Sequence, residues 1–250
     1  MTFQSLEYLL FFPIVLLLYW TVCRKSKALQ NGLIVAASLV FYGWWDWRFL
    51  GLLLLTAFST FLIGWWMGKS IDRRMRKELM VAAIVLNLGI LFFFKYFNFF
   101  VHAVVDAFSL LGIAMNVSTL KILLPVGISF YTFTALSYSI DVYQRKVEPT
   151  KDLLAYLAYV MFFPSILSGP ISRAQKQLPQ YFGVRRFDYD KAVSACKLLL
   201  MGGVMKLCLA DRLGIYVDAV YSHIPQHNGT TLLLASVLYT IQIYADFAGY

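Results

Sequence analysis

The chain has 250 residues, of which 60% are apolar and only 14% charged, with a formal net charge of +9. A globular chain carries roughly one-quarter charged residues, and no soluble interior of this size hides 21 Phe and 16 Tyr, so composition excludes a water-soluble domain. A nucleic-acid surface is excluded too, because Lys and Arg fall in short clusters between apolar runs rather than along one face.

Uncharged runs of near-membrane length recur at residues 8–22, 33–45, 49–68, 79–94, 122–140, 153–172 and 229–245. Several are short of a full crossing, and flanking Trp, Tyr, Lys and Arg extend them into the interface. The pattern predicts an all-α, polytopic transmembrane helical protein forming a single transmembrane domain over 1–250. The first run has no basic region ahead of it and no small-residue cleavage pattern after it, so it is a retained span. Cys23, Cys196 and Cys208 have no metal-ligand spacing and lie in or beside apolar stretches. They read as buried, inert thiols, with no disulfide framework and no metal.

Loop charge sets the expected orientation. Arg24, Lys25 and Lys27 follow the first run with no acid, and Lys69, Arg73, Arg74, Arg76 and Lys77 follow the third against Asp72 and Glu78. Both connections are expected inside, with the N-terminus outside. The turn Trp44-Trp45-Asp46-Trp47-Arg48 is charge-balanced and rich in indole, as suits the opposite interface.

Between Lys95 and Ile122, the residues Asn98, His102, Asp106 and Ser109 recur at spacings of four, four and three, which predicts a helix lying flat in the interface. His102 and Asp106 fit an orienting pair for catalysis or the polar stripe of any amphipathic helix. The run 153–172 has basic flanks on both sides and is interrupted by Pro164, Gly169 and Pro170. That combination predicts a re-entrant, broken helix facing a functional chamber, the other reading being an ordinary kinked span. Residues 173–191 read as a solvated inside loop, and 198–210, cut by Gly202-Gly203 and Lys206, as too short and too charged for a simple span. His223 and His227 flank Pro225, which argues for a polar outside loop over a metal site.

Three blocks carry a resemblance. Leu124-Pro125-Val126-Gly127-Ile128-Ser129-Phe130-Tyr131-Thr132-Phe133 continues to Leu136-Ser137-Tyr138 and Ile140-Asp141-Val142-Tyr143. Phe162-Phe163-Pro164-Ser165-Ile166-Leu167-Ser168-Gly169-Pro170-Ile171 and Gln242-Ile243-Tyr244-Ala245-Asp246-Phe247-Ala248-Gly249-Tyr250 follow in order. With Phe41-Tyr42-Gly43-Trp44-Trp45 and the Phe94 to Phe100 stretch, the chain resembles the N-terminal part of the bacterial branch of the membrane-bound O-acyltransferases, which includes alginate O-acetyltransferases and D-alanyl-lipoteichoic acid transferase proteins.

The resemblance implies acyl transfer across a bacterial cytoplasmic (inner) membrane. The donor would be acetyl-CoA or another acyl thioester on the cytoplasmic side, with no bound cofactor. The acceptor would be an extracytoplasmic polysaccharide or carrier, and the protein partner an extracytoplasmic acyltransferase that finishes the transfer. Besides these, only membrane lipid is expected as a partner, and no nucleic acid. The family's catalytic histidine lies in a Trp-His-x-Ser segment well after the Asp-Phe-x-Gly-Tyr block. None of His102, His223 and His227 has that context, so the chain reads as a piece of such an enzyme that ends at Tyr250 before its base.

The expected chamber-lining residues are Asp246, Gln242, Tyr244, Tyr250, Ser129, Tyr131, Pro164, Gly169 and Pro170. Asp246 fits either an acid facing protein and orienting a histidine, or a helix-end carboxylate at the interface. Ser129, Tyr131, Thr132, Ser137 and Tyr138 form a polar seam suited to interhelical hydrogen bonds or to substrate. A non-catalytic scaffold or channel-like module is the rival to the enzyme. A secondary transporter would need an inverted internal repeat, and none is visible.

Overall fold

A computed structural model describes residues 5–110 and 124–249 of the chain. It divides into two compact units, residues 1–186 and 187–250. Every regular element among the described residues is helical. Four helical stretches are long and apolar enough to cross a membrane, and the chain is an all-α polytopic membrane protein.

The first unit opens with α1 (Leu6–Thr21), capped where Ser5 Oγ accepts the Tyr8 N–H at 3.3 Å, and none of its residues is buried. The stretch Lys27–Lys69 holds two helices. α2 (Lys27–Asp46) stops where Asp46 turns extended, at φ −158° and ψ 110°. The Asp46 carboxylate accepts the Arg48 N–H at 3.0 Å and its guanidinium at 2.7 Å, closing a one-turn 3-10 helix, Trp47–Phe49, before α3 (Leu50–Lys69). At 20 residues each, both run about 30 Å, enough for one crossing apiece.

α4 (Arg73–Leu110) is one helix of 38 residues. The expected flat helix after Lys95 is therefore not a separate element. No Gly or Pro lies between Phe94 and Leu110, so nothing ends the hydrogen-bond ladder there. The side chains of Asn98, His102, Asp106 and Ser109 lie outside the described residues. α5 (Ile128–Tyr143) begins later than the run at 122 implied, with residues 122 and 123 also outside the described set. Gly127 sits at φ +74° just ahead of it, a left-handed conformation that glycine adopts without penalty. A Cβ there would fall against the Ile166 carbonyl.

The interior of this unit is built from α5 and α6 (Leu153–Val160), the latter buried from Ala155 to Val160. Tyr131, Tyr138, Tyr156 and Tyr159 fill it against Phe41, Leu53 and Met67. Gly64 of α3 leaves room for the Tyr138 ring, which a Cβ would approach to 2.6 Å. The break expected in 153–172 is present. α6 stops at Val160, and a single turn, α7 (Phe163–Ile166), starts with Pro164 in its first positions. The freed backbone is satisfied by side chains: the Phe163 N–H donates to Ser38 Oγ at 3.1 Å, and the Tyr159 hydroxyl donates to the Ser172 carbonyl at 2.7 Å. Broken backbone in an apolar setting needs such partners.

Two side chains tie the connections down. Arg76, buried at the start of α4, donates to the Val142 and Tyr143 carbonyls at 2.9 and 3.1 Å, satisfying the end of α5. Arg76→Met keeps most of the stem packing and should lower stability by about 1.5 kcal/mol. Thermal unfolding in detergent checks this, and an unchanged midpoint would show that those carbonyls are met by water. Residues 173–186 are not the free loop the charge pattern implied. After α8 (Ala174–Gln177), Arg185 donates to Asn31 Oδ1 at 2.6 Å and lies over the Tyr19 and Tyr181 rings. Its backbone N–H donates to Gln30 Oε1 at 2.9 Å, and its carbonyl accepts from Gln30 Nε2 at 2.8 Å. Gln30 and Asn31 are buried in α2, so this strand of the connection closes two polar groups that would otherwise be orphaned.

The second unit contains α9 (Tyr189–Gly203), a π-helical segment Val204–Ala210, α10 (Asp211–Ser222), a 3-10 turn Ile224–Gln226 and α11 (Gly229–Gly249). Residues 198–210 are thus part of one continuous stretch of 34 residues, Tyr189–Ser222, rather than a truncated span. Cys196 and Cys208 are exposed on it, and of the three thiols only Cys23 is buried. Asp188 caps α9 by accepting the Lys191 N–H at 3.2 Å, which together with the Lys191 ammonium holds its carboxyl below the usual carboxylate range. A depressed folded-state pKa adds stability above the unfolded value of about 4, and this stability is lost as pH falls through the folded value. The first turn of α9 should therefore fray on acidification from about pH 5 to about pH 3. Amide exchange at Lys191 reports it, and Asp188→Asn should flatten the dependence.

Candidate functional site

The one constellation of opposite charges inside apolar helices lies, among the described residues, in the second unit. Gln242 and Asp246 stand four apart on α11 and share a face. The π segment supplies Lys206, and α10 supplies Asp211, Gly214 and Asp218. Together with Ala210 and Ile215 they line a cavity of about 220 Å³. Lys206 Nζ lies 3.0 Å from Asp211 Oδ1 and also pairs with Asp246 Oδ1.

Local sequence explains the approach. A Cβ on Gly249 would stand 2.9 Å from the Gly202 carbonyl and 3.1 Å from the Lys206 N–H, so only glycines allow these two backbones to touch. The π turn then sets the register. Residues five apart point about 140° apart in an α-helix, whereas i→i+5 geometry, seen in the Asp211 N–H bond to the Lys206 carbonyl, returns them to one side. Lys206 and Asp211 meet for that reason.

Three carboxylates face one ammonium, and Gln242 Oε1 is buried without a hydrogen-bond partner among the described residues. The cavity is rich in acceptors. It suits hydroxyl or amine donors and repels phosphate and carboxylate. A second hollow of about 470 Å³ along α4, between Phe92, Phe93, Phe97, Phe100 and Val104, is apolar and offers no such chemistry.

The structure brings Asp246 and Gln242 together as sequence implied. Tyr244 points away and is 68% exposed, and Tyr250 lies outside the described residues. The other expected positions belong to the first unit. Tyr131 is buried in the aromatic interior with its ring 6.3 Å from that of Tyr42, Ser129, Pro164 and Gly169 are half-buried, and Pro170 is exposed. In the polar seam, the Tyr138 hydroxyl accepts the Thr150 N–H at 3.1 Å, a structural bond. His223 and His227 flank the 3-10 turn, with His223 Nδ1 3.4 Å from the Ala219 carbonyl. Sequence reasoning missed Lys206, Asp211 and Asp218. The signal was present, because a cation in an apolar run requires a counter-charge, and Asp211, five residues on, and Asp246, at the end of the following apolar run, are acids that can supply it.

No protein-family model matches this chain. Curated relatives do. The chain is 35% identical to a protein of Pseudomonas aeruginosa named probable alginate O-acetylase, over 100% of this chain and 47% of that protein. It is 34% identical to an Azotobacter vinelandii protein of the same name, over 100% of this chain and 49% of the relative. A peptidoglycan O-acetyltransferase of Helicobacter pylori is 24% identical over 96% of this chain and 50% of its own length. The chain spans about half the length of the curated relatives it matches. Along its whole length the chain is similar to proteins named for O-acetylation, and it corresponds to about half of one, in keeping with the family resemblance that its motifs carry.

Proposed function

We propose that this chain is part of a membrane enzyme that passes an acyl group, acetyl in the first instance, from a cytoplasmic thioester such as acetyl-CoA to hydroxyls of an extracytoplasmic polysaccharide. The observation that carries this is relatedness over the full chain to proteins named for O-acetylation of two different glycans, alginate and peptidoglycan. What those names share is transfer of acetyl to a sugar hydroxyl. Attack by a hydroxyl on a thioester needs a proton acceptor and a site that excludes water. The cavity between α10 and α11 contributes acceptors and fixed charge, with Lys206 holding Asp246 in place beside Gln242.

The proposal includes a setting in the bacterial inner membrane with the N-terminus outside. Contacts within the first unit support it by gathering the basic connections at one end. Lys27 pairs with Asp152 at 3.2 Å, Arg76 reaches Tyr143, Gly68 packs on Pro149, and Arg185 binds Gln30. The arrangement matches the excess of Lys and Arg that marks a cytoplasmic face. An extracytoplasmic partner that completes the transfer belongs to the same proposal. The test is ester-linked acetate released by mild alkali from the surface polysaccharide of a host lacking the gene. Acetate should fall on deletion and return with the intact gene but not with Asp246→Asn. Unchanged acetate on deletion would refute the proposal, and full rescue by Asp246→Asn would reduce the cavity to a structural role.

A further inference from the structure

Arg145 has φ +60°, the sole non-glycine residue with positive φ among those described. It follows α5 at a point where the Lys146 N–H donates back to the Asp141 carbonyl at 2.9 Å, the closing bond of a helix stop that ordinarily takes glycine or asparagine. Arginine there is strained, and strain of this kind persists where the side chain has another task. The Arg145 side chain is exposed and makes no ion pair among the described residues. Its surroundings are cationic. Arg76 holds Tyr143, two residues before it, and Pro149, four residues after it, packs on Gly68, so the loop lies against the α3–α4 connection. The two segments, 69–78 and 145–149, carry seven cationic side chains against three carboxylates. Of those carboxylates, Glu78 pairs with Arg74 at 3.1 Å, and Asp72 accepts the Arg74 N–H at 2.9 Å. Between the cations, Ile71 is 94% exposed at the tip of the connection, and Lys69 lies 3.5 Å over the Trp65 ring at the end of a spanning helix.

We infer that Arg145, Lys146 and the α3–α4 connection form a site for the phosphate headgroups of anionic phospholipid. Charge supplies the attraction, the Ile71 side chain inserts among the acyl chains, and Trp65 marks the interface. A soluble anion would gain nothing from Ile71, which is why lipid rather than free phosphate is the occupant. The inference needs only that the chain spans a membrane and stands apart from any acyl transfer. The test uses the full chain in nanodiscs of phosphatidylcholine with or without phosphatidylglycerol, followed by native mass spectrometry of retained lipid. The wild type should retain phosphatidylglycerol over phosphatidylcholine. Arg145→Gly should unfold at a higher temperature in pure phosphatidylcholine yet retain phosphatidylglycerol about fivefold less, and Lys146→Gln should lose a similar factor without the stability gain. Equal retention of the two lipids overturns the inference, as does unchanged retention in Arg145→Gly. Displacement of the lipid by millimolar inorganic phosphate would also overturn it, by showing a free-anion site.

Discussion

Replacing Gly127 by alanine should destabilise the first unit by about 3 kcal/mol, combining a left-handed backbone forced on an L-residue with overpacking. The residue holds φ +74°, and its missing Cβ is the space that the Ile166 carbonyl occupies. Because the obstacle is backbone of the broken segment, no rotamer change relieves it. Either α5 starts late or α7 moves, and both disturb the buried Tyr131 and Tyr159. Thermal unfolding in detergent should show a fall of roughly 6–12 °C. Gly32→Ala is the control. It lies in α2 with nothing within 4 Å of a new Cβ, and it should gain up to about 1 kcal/mol from helix propensity. Equal shifts for the two variants would mean that the Gly127–Ile166 approach carries no weight.

Lys206→Met should cost about 2–3 kcal/mol, below the 3–5 kcal/mol typical of a fully buried pair because the lysine side chain is 28% exposed and the two aspartates more so. The substitution leaves Asp211 and Asp246 without the ammonium between them, in helices whose outer faces are apolar. On the proposed function, acetate transfer by the complete enzyme should fall with it, since Asp246 loses its anchor. Adding Asp246→Leu to Lys206→Met should recover stability but not transfer, which separates folding from chemistry. If the double variant were as unstable as the single one, the two residues would not be coupled.

Much of the architecture is written locally. The break after α6 follows from Pro164, Gly169 and Pro170, because proline withdraws a donor wherever it stands. Asp246 and Gln242 were visible because an acid at the end of a long apolar run is costly. What sequence hid was pairing at a distance. Lys206 reads as an interruption until Asp246, forty residues later, is placed beside it, and Gly202 reads as a helix breaker until Gly249 is packed against it. The connection after Ser172 looked solvated because Arg185 was counted as a surface charge, while its stacking on Tyr19 and its bonds to buried Gln30 and Asn31 depend on tertiary placement. The thiols were misread in the same way, since Cys196 and Cys208 lie exposed on an apolar helix, and which face of such a helix is covered depends on tertiary placement.

The wide turn at Val204–Ala210 has a consequence for comparing this chain with its relatives. It adds one residue to a single coil of the helix, so the side-chain stripes before Gly203 and after Asp211 follow two phases of the same repeat. A relative that lacks the extra residue would align across 189–222 with a one-residue gap placed in that coil, and nowhere else without rotating one half of its side chains by about 100°. Such a relative would also bring a different position to face the lysine.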